Sequence, residues 1–226
     1  MKVYTTDRIR NVVLLGHGGS GKTSLVEAMA YLGGITSRLG NVTDGNTISD
    51  FDKEEIKRQF SISTTLIPLE YQGENGPVKI NLLDTPGFFD FVGEVEEAIS
   101  VADAAIIVVN CKAGIEPGTE RAWEMCEKYN LPRLIFVTNM DDDHASYREL
   151  VVKLEKKFGR KIAPFQVPIR ENEKFVGYVN VITETGNRWQ GKDVVECEVP
   201  EYNKANLQIC RDTLMEAVAE TSEEMM

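Results

Sequence analysis

Eight residues near the N-terminus have the types and spacing of a phosphate-binding loop. The segment reads G-H-G-G-S-G-K-T and fits the pattern G-x-x-x-x-G-K-[ST]. Its glycines let consecutive backbone N–H groups turn inward around phosphate oxygens, and a following helix N-terminus attracts the same anion. We expect Lys22 to reach the β- and γ-phosphates and the Thr23 hydroxyl to ligate Mg²⁺. The predicted nucleotide-binding residues of this loop are Gly16, His17, Gly18, Gly19, Ser20, Gly21, Lys22 and Thr23.

A second motif, Asp84-Thr85-Pro86-Gly87, follows an apolar segment that reads as a strand. An acidic residue at a strand end beside a phosphate loop can hold the Mg²⁺ shell through a water molecule. The backbone N–H of Gly87 can donate to a γ-phosphate oxygen. D-x-x-G also occurs in ordinary turns, so its position at the end of a strand is what favours phosphate sensing.

The third motif is Thr138-Asn139-Met140-Asp141, again at the end of a predicted strand. A carboxylate can accept two hydrogen bonds from the N1–H and N2–H₂ edge of guanine, whereas adenine has no donors there. A charge-assisted hydrogen bond contributes roughly 1.5–3 kcal/mol, enough to discriminate between the bases. Asp141 is therefore predicted to select guanine. The alternative interpretation is a plain acidic loop, because Asp142 and Asp143 follow directly.

Alternating strands and helices position these motifs. Predicted strands span residues 8–15, 62–71, 78–83, 104–110 and 134–138, and predicted helices span 22–32, 92–100, 117–129 and 146–158. This alternation predicts an α/β fold with a mostly parallel sheet flanked by helices. Residues 35–60 are polar and aperiodic, which predicts a long functional loop.

The pattern changes after Gly159. Strands are predicted at 165–169 and 175–182, a polar, turn-rich stretch at 183–201, and a helix at 203–220. This part of the chain is predicted to form a small separate layer of strands and helix.

Composition narrows the class of protein. The 226 residues carry 25 Lys and Arg against 36 Asp and Glu, a net charge of −11. That balance argues against general phosphate neutralisation, so we expect no direct sequence-specific DNA binding. Apolar runs are too short to span a bilayer, and no secretory signal is visible, so no membrane partner is expected. The four cysteines form no C-x-x-C pair, which favours reduced thiols and a cytoplasmic location.

With these three motifs in order, the chain resembles a translational GTPase of the elongation factor G family and its paralogues. The resemblance extends over almost the full length, including Phe88 to Val95 after D-T-P-G, and Pro168-Ile169 and Val176 to Asn180 further on. It implies a P-loop NTPase (GTPase) fold with a small inserted α+β subdomain, GTP or GDP with Mg²⁺ as ligands, and the ribosome as partner of the full-length protein.

The resemblance also predicts a domain organisation. Residues 1–158 correspond to the GTPase core, which would lack its C-terminal strand and helix, and residues 159–226 to an incomplete inserted subdomain. The family's fifth motif, a short S-A-[KL]-like loop, is absent. We therefore expect the chain to be an N-terminal fragment of a longer multidomain protein.

Four positions depart from the family pattern. Ser61 replaces the threonine that binds Mg²⁺ and senses the γ-phosphate, and its hydroxyl can still ligate the metal. Thr138 and Asn139 stand where the guanine motif has asparagine and lysine, which predicts weaker guanine affinity. Phe88 occupies the position of the water-positioning histidine, so no catalytic residue is identified and very slow intrinsic hydrolysis is predicted.

Several alternatives remain open at this stage. A ribosomal-protection or release-factor-like paralogue would differ mainly in downstream domains. A P-loop kinase or ATPase would use the same phosphate loop, although Asp141 and D-T-P-G speak against it. A third alternative is a binding switch that does not hydrolyse its nucleotide.

Overall fold

The computed structural model describes residues 3–142, 144–159, 161–172, 174–191 and 193–220. Asp143, the third acidic residue after the predicted guanine motif, lies outside these ranges. The chain divides into two compact units, with the boundary between Thr138 and Asn139. Within the described ranges, no helix is long and apolar enough to cross a membrane.

A five-stranded sheet forms the centre of the first unit. Its strands are β1 (Ile9–Leu15), β2 (Thr65–Gly73), β3 (Gly76–Asp84), β4 (Ala104–Asn110) and β5 (Arg133–Thr138), in the order β2-β3-β1-β4-β5. β1 pairs in parallel with β3 and β4, β4 pairs in parallel with β5, and β2 is antiparallel to β3. This arrangement confirms the predicted mostly parallel sheet.

Four helices belong to the first unit: α1 (Lys22–Leu32), α2 (Lys53–Arg58), α3 (Val92–Ser100) and α4 (Pro117–Lys128). α1 packs its apolar side against the central strands, because its buried residues share one core with them. That core contains Leu14, Val26, Ala30, Ile67, Leu69, Leu82 and Val108. β1 is therefore fixed at the centre of the sheet, and its carboxyl end carries the phosphate loop.

The segment 35–60 differs from the predicted loop, because α2 lies within it. The helix begins with a capping box, in which the Asp52 side chain accepts from Glu54 N at 2.8 Å and the Glu55 carboxylate accepts from Asp52 N at 3.2 Å. Six residues are too short for an amphipathic repeat to show in the sequence. The N-terminal capping box stabilises this helix, which has no hydrophobic periodicity that the sequence could show.

Two buried carboxylates fix the main chain around α2. Glu27, 1% exposed on α1, accepts from Gly40 N at 2.8 Å and from Ile48 N at 2.7 Å. Glu55 accepts from Ile62 N at 2.9 Å. The segment is thus ordered by backbone N–H groups that donate to carboxylate oxygens. Such bonds can involve any residue on the backbone side, so they produce no recognisable pattern in the sequence.

The second unit contains α5 (Tyr147–Phe158), β6 (Gln166–Glu171), β7 (Lys174–Asn180), β8 (Thr185–Gln190), β9 (Asp193–Cys197) and α6 (Glu201–Ala219). The four strands form an antiparallel sheet in chain order. α6 packs Leu207, Cys210 and Leu214 against its apolar face. The prediction of a turn-rich stretch over 183–201 is wrong, since β8 and β9 lie there. β8 is mostly polar and β9 has only five residues, so pairing of β8 with β7 and of β9 with β8 is what reveals them as strands.

We expect Glu27→Gln to lower the free energy of unfolding by about 1.5–3 kcal/mol, because an amide offers one acceptor where two backbone donors need one each. Urea unfolding followed by tryptophan fluorescence measures this. Glu97→Gln on the exposed side of α3 is the matched control and is expected to change stability by less than about 0.5 kcal/mol. Equal unfolding midpoints for both variants would contradict the anchoring role of Glu27.

Candidate nucleotide site

The phosphate loop joins the end of β1 to the start of α1, as the motif predicts. Gly16 has φ 141°, and a Cβ there would lie 2.4 Å from the carbonyl oxygen of Val108 on β4. Gly19 and Gly21 have φ values of 79° and 96°. L-residues with side chains rarely adopt this conformation, so the glycines are required for the loop to turn tightly beside β4.

Lys22 is buried within the loop. Its Nζ donates to the carbonyl oxygens of Gly16 at 3.1 Å and of His17 at 3.0 Å. Burial lowers the pKa of Lys22 to about 8, while Asp84, Asp50 and Glu116 act in the opposite direction. An ammonium group held out of water in this way interacts strongly with any anion that enters the loop.

Asp84 is the last residue of β3 and pairs with Leu14 near the end of β1. The Asp84 carboxylate therefore lies beside the phosphate loop. It is fully buried, and the Ser49 hydroxyl donates to its Oδ2. Burial raises the pKa of Asp84 to about 6, whereas Ser49, Lys22 and Thr23 act in the opposite direction. Its second oxygen, Oδ1, has no hydrogen-bond partner among the described residues.

Thr23, Ser61 and Asp50 form a connected polar group. The Thr23 and Ser61 hydroxyl oxygens are 3.2 Å apart, and Ser61 donates to Asp50 Oδ1 at 2.7 Å. Burial raises the pKa of Asp50, and its Oδ2 lacks a partner within the described chain. The predicted metal residues Thr23 and Ser61 are thus brought together across 38 positions of sequence.

This donor set fits a magnesium ion. Hydroxyl and carboxylate oxygens are the hard ligands that Mg²⁺ prefers, and the ion usually takes only a few from protein and the rest from water and phosphate. Two buried carboxylate oxygens of the described residues lack any partner here, one on Asp50 and one on Asp84. Across the described ranges there is no cluster of three or more His, Cys, Asp and Glu side chains that could hold a metal by itself.

Asp50 and Ser49 were missed by sequence reasoning. Both lie in the aperiodic segment before α2, where neither a motif nor a repeat singles them out. Their side chains become part of the site only because the surrounding main chain is held in place, so the sequence contains no signal that could have identified them.

The D-T-P-G segment runs directly against the phosphate loop. The Thr85 hydroxyl donates to Leu14 O at 2.5 Å. A Cβ on Gly87 would lie 2.7 Å from the backbone nitrogen of Gly18 and 2.5 Å from Lys22 Nζ. Only glycine permits this close approach. The structure therefore places Gly87 against the phosphate loop, as the sequence predicted.

Phe88 follows at once, with 42% of its surface exposed. Its ring lies 4.7 Å from that of Phe60, and a Cβ on Gly18 would come within 3.0 Å of it. Phe88 and Phe89 also line a shallow open cleft with Arg121 on its wall. The position is therefore apolar and adjacent to the phosphate loop, with no donor or acceptor from the Phe88 side chain itself.

The third motif falls at the boundary between the units. In the first unit, the Thr138 hydroxyl donates to Ser20 O at 2.7 Å, which ties β5 to the phosphate loop. In the second unit, Asn139 adopts a left-handed conformation with φ 54°, Met140 is buried and Asp141 is exposed. Thr138 thus supports the phosphate loop, while Asp141 presents its carboxylate to solvent.

The raised pKa of Asp84 predicts a pH-dependent stability in the metal-free protein. The folded state binds more protons than the unfolded chain between the ordinary value of 3.8 and about 6, so the free energy of unfolding falls as pH rises through this window. We expect a loss of roughly 2–3 kcal/mol that Asp84→Asn removes. Unfolding titrations in EDTA at several pH values measure it. Asp90→Asn, at an exposed position, should leave the slope as in the wild type.

The chain is similar to proteins of one GTP-binding family. Residues 7–223 match the family described as "Elongation factor Tu GTP binding domain". An elongation factor G-like protein of Mycobacterium tuberculosis is 33% identical over 216 residues, covering 96% of this chain and 29% of that protein. Elongation factor G of Thermotoga petrophila is 34% identical over 223 residues, covering 97% of this chain and 32% of that protein.

Two further relatives extend the comparison. The mitochondrial ribosome-releasing factor 2 of Pongo abelii is 34% identical over 227 residues, 96% of this chain and 29% of that protein. A crystal structure from Thermus thermophilus superimposes with a TM-score of 0.90 at 38% identity, covering 96% of this chain and 32% of the other. The chain therefore spans about a third of the length of these proteins.

The resemblance to translational GTPases predicted from the three motifs is confirmed by this match over nearly the whole chain. The motif order, the parallel sheet and the phosphate loop on β1 are all accounted for by it. The chain belongs to the family of elongation factor Tu GTP-binding domains.

Proposed function

We propose that this chain is the guanine-nucleotide switch domain of an elongation-factor-G-like protein that acts on the ribosome during translation. The observation that carries the proposal is the buried polar group around Lys22, with unpaired carboxylate oxygens on Asp50 and Asp84 among the described residues. Each residue of this polar group lies in a segment that would contact the phosphates or Mg²⁺ of a bound nucleotide. Relatives named elongation factor G and ribosome-releasing factor 2 support the ribosomal context.

The phosphate loop would hold the β- and γ-phosphates through its backbone N–H groups and Lys22. Thr23 and Ser61 would ligate Mg²⁺ directly, and Asp84 would do so through a water molecule, with Asp50 orienting Ser61. Bound Mg²⁺ would neutralise charge on the β- and γ-oxygens. Entry of the metal would favour the ionised form of Asp84, which burial alone disfavours.

Base recognition would belong to Thr138, Asn139, Met140 and Asp141. Asp141 would accept hydrogen bonds from the guanine edge, and its exposure leaves the carboxylate available to do so. Thr138 would act indirectly, since its hydroxyl already holds Ser20 O. Membership of a GTP-binding family argues against the kinase and ATPase alternatives.

Hydrolysis would be slow without a partner, because Phe88 cannot position an attacking water. Two other polar side chains already have partners of their own. The Arg58 side chain forms an ion pair with Glu54 at 3.1 Å, and His17 lies 3.6 Å from Glu116. The protein would then be a GTPase whose turnover depends on an external group, or a switch driven by nucleotide occupancy alone.

The domain organisation remains a proposal as well. We assign residues 1–158 to a GTPase core and 159–226 to an inserted α+β subdomain, supported by the separate apolar core of β6–β9 and α6. A release-factor-like paralogue is the second candidate function, favoured by the 34% identity to ribosome-releasing factor 2. That relative is mitochondrial, so the cytoplasmic location stays a prediction.

We expect the chain to bind GDP in preference to ADP, and Asp141→Asn to weaken GDP binding by about tenfold or more. Xanthosine diphosphate should bind this variant better than the wild type, because xanthine has a carbonyl oxygen at C2 that an amide can donate to. Calorimetric titrations measure all three affinities.

Asp142→Asn is the matched control for this prediction, since an amide oxygen can still accept from His144 N as Asp142 Oδ1 does. GDP affinity should stay within about twofold of the wild type. Equal binding of ADP and GDP by the wild-type chain would refute guanine recognition.

We expect Phe88→His to raise ribosome-stimulated GTP hydrolysis of the full-length protein by at least roughly tenfold, because imidazole can hold a water in line with the γ-phosphorus. Phe89→His, an adjacent exposed phenylalanine, is the control that should change nothing. Single-turnover hydrolysis measures both. Rapid hydrolysis by the wild-type chain without ribosomes, abolished by Lys22→Ala, would show that another catalyst exists.

A further inference from the structure

The segment that carries Asp141 is bridged by one arginine from the small sheet of the second unit. Arg170 lies on β6, and its Nη2 donates to Met140 O at 2.6 Å and to Ala145 O at 3.1 Å. These two carbonyl groups lie on either side of Asp141 in sequence. A guanidinium group that bonds both ends of a short segment fixes their separation, and charged donors make the stronger kind of hydrogen bond.

Local hydrogen bonds shape the segment but do not complete it. Two of its amide hydrogens bond locally, from Ala145 N to Asp142 O at 3.0 Å and from His144 N to Asp142 Oδ1 at 2.9 Å. Asn139 enters it in a left-handed conformation with φ 54°, which asparagine adopts more readily than most residues with a side chain. The conformation that presents Asp141 therefore depends on a tertiary contact as well as on local bonds.

Arg170 is itself held in place by α6. The Tyr202 hydroxyl accepts from Arg170 N at 3.2 Å and donates to Arg170 O at 2.9 Å. The sheet is irregular here, because the register between β6 and β7 shifts between Ile169 and Arg170. The extra residue is Val176, on β7 and not on β6. A continuous path of hydrogen bonds thus runs from α6 through Arg170 to the backbone on both sides of Asp141.

We propose that Arg170 is a positioning residue for base recognition, which holds the backbone carbonyls of Met140 and Ala145 in the arrangement that presents Asp141 to a guanine base. The inference rests on the proposed function of Asp141. The proposal gives the small sheet a role in nucleotide binding. Guanine affinity would depend on β6 and α6, although neither element would contact the base. Arg170 acts through backbone carbonyls, so its removal should alter the affinity for guanine and leave phosphate binding unchanged.

The test uses the 226-residue chain with two probes, GDP and inorganic tripolyphosphate. Tripolyphosphate reports on the phosphate loop alone, whereas GDP also requires the base. Arg170→Met keeps an unbranched apolar side chain and removes the donors. We expect its GDP dissociation constant to rise about tenfold, with tripolyphosphate affinity unchanged. Arg170→Lys, which retains a charged donor, should recover part of the loss.

Two further variants separate positioning from general stability. Arg188→Met removes an arginine of the same sheet whose Nη2 pairs with Glu171 at 2.7 Å, and it should bind GDP as the wild type does. Tyr202→Phe retains the guanidinium group and should weaken GDP binding by about threefold. Amide exchange at His144 and Ala145 should become faster in Arg170→Met and stay unchanged in Arg188→Met.

Each outcome has a distinct meaning. Wild-type GDP affinity in Arg170→Met, with loss in Asp141→Asn, would overturn the role of Arg170 and leave the proposed function intact. Equal loss of GDP and tripolyphosphate binding in both Arg170 variants would show a general structural effect and also overturn it. A wild-type chain that binds tripolyphosphate without preferring GDP to ADP would overturn the proposed function itself.

Discussion

The burial of opposite charges beside the phosphate loop is the constraint on which the rest of the first unit depends. Lys22 and Asp84 are both removed from water, and burial shifts their pKa values in opposite directions, to about 8 and about 6. Buried charges are tolerated only when hydrogen bonds satisfy them. The carbonyl groups of the loop serve Lys22, and Ser49 serves one oxygen of Asp84. The other oxygen of Asp84, Oδ1, has no hydrogen-bond partner among the described residues, so a ligand that contacted it would stabilise the buried charge.

The segment between α1 and β2 is built in a way that suits a switch. It has a short helix, two anchoring carboxylates on Glu27 and Glu55, and the hydroxyl groups of Ser49 and Ser61 at the site. Its order in the metal-free protein depends on these hydrogen bonds between backbone amides and buried carboxylates. Under the proposed function, contacts with Mg²⁺ and phosphate would add to them, and loss of those contacts would favour release of the segment.

The departures from the family pattern differ in their physical consequences. Thr138 keeps a hydrogen bond to the phosphate loop, since its hydroxyl reaches Ser20 O at 2.7 Å. Ser61 retains the oxygen that its position requires, 3.2 Å from Thr23. Phe88 retains nothing polar and packs on Phe60 instead. Under the proposed function, nucleotide binding would keep most of its chemistry, and Phe88 would stand in place of the group that holds a catalytic water.

The sequence by itself determined the phosphate loop, the D-T-P-G segment and the elements around them, because each depends on contiguous residues. α1, α3 and β4 have the predicted bounds, since a helical repeat or an apolar run with clear ends is a local property. Only the tertiary structure decided that Asp50 joins the polar group of Thr23 and Ser61, and that Arg170 reaches Met140 across 30 positions. Every residue offers a backbone carbonyl or amide, so contacts made to the main chain leave no mark on residue type. β8 and β9 were missed for a related reason, because backbone pairing with a neighbouring strand is what defines them.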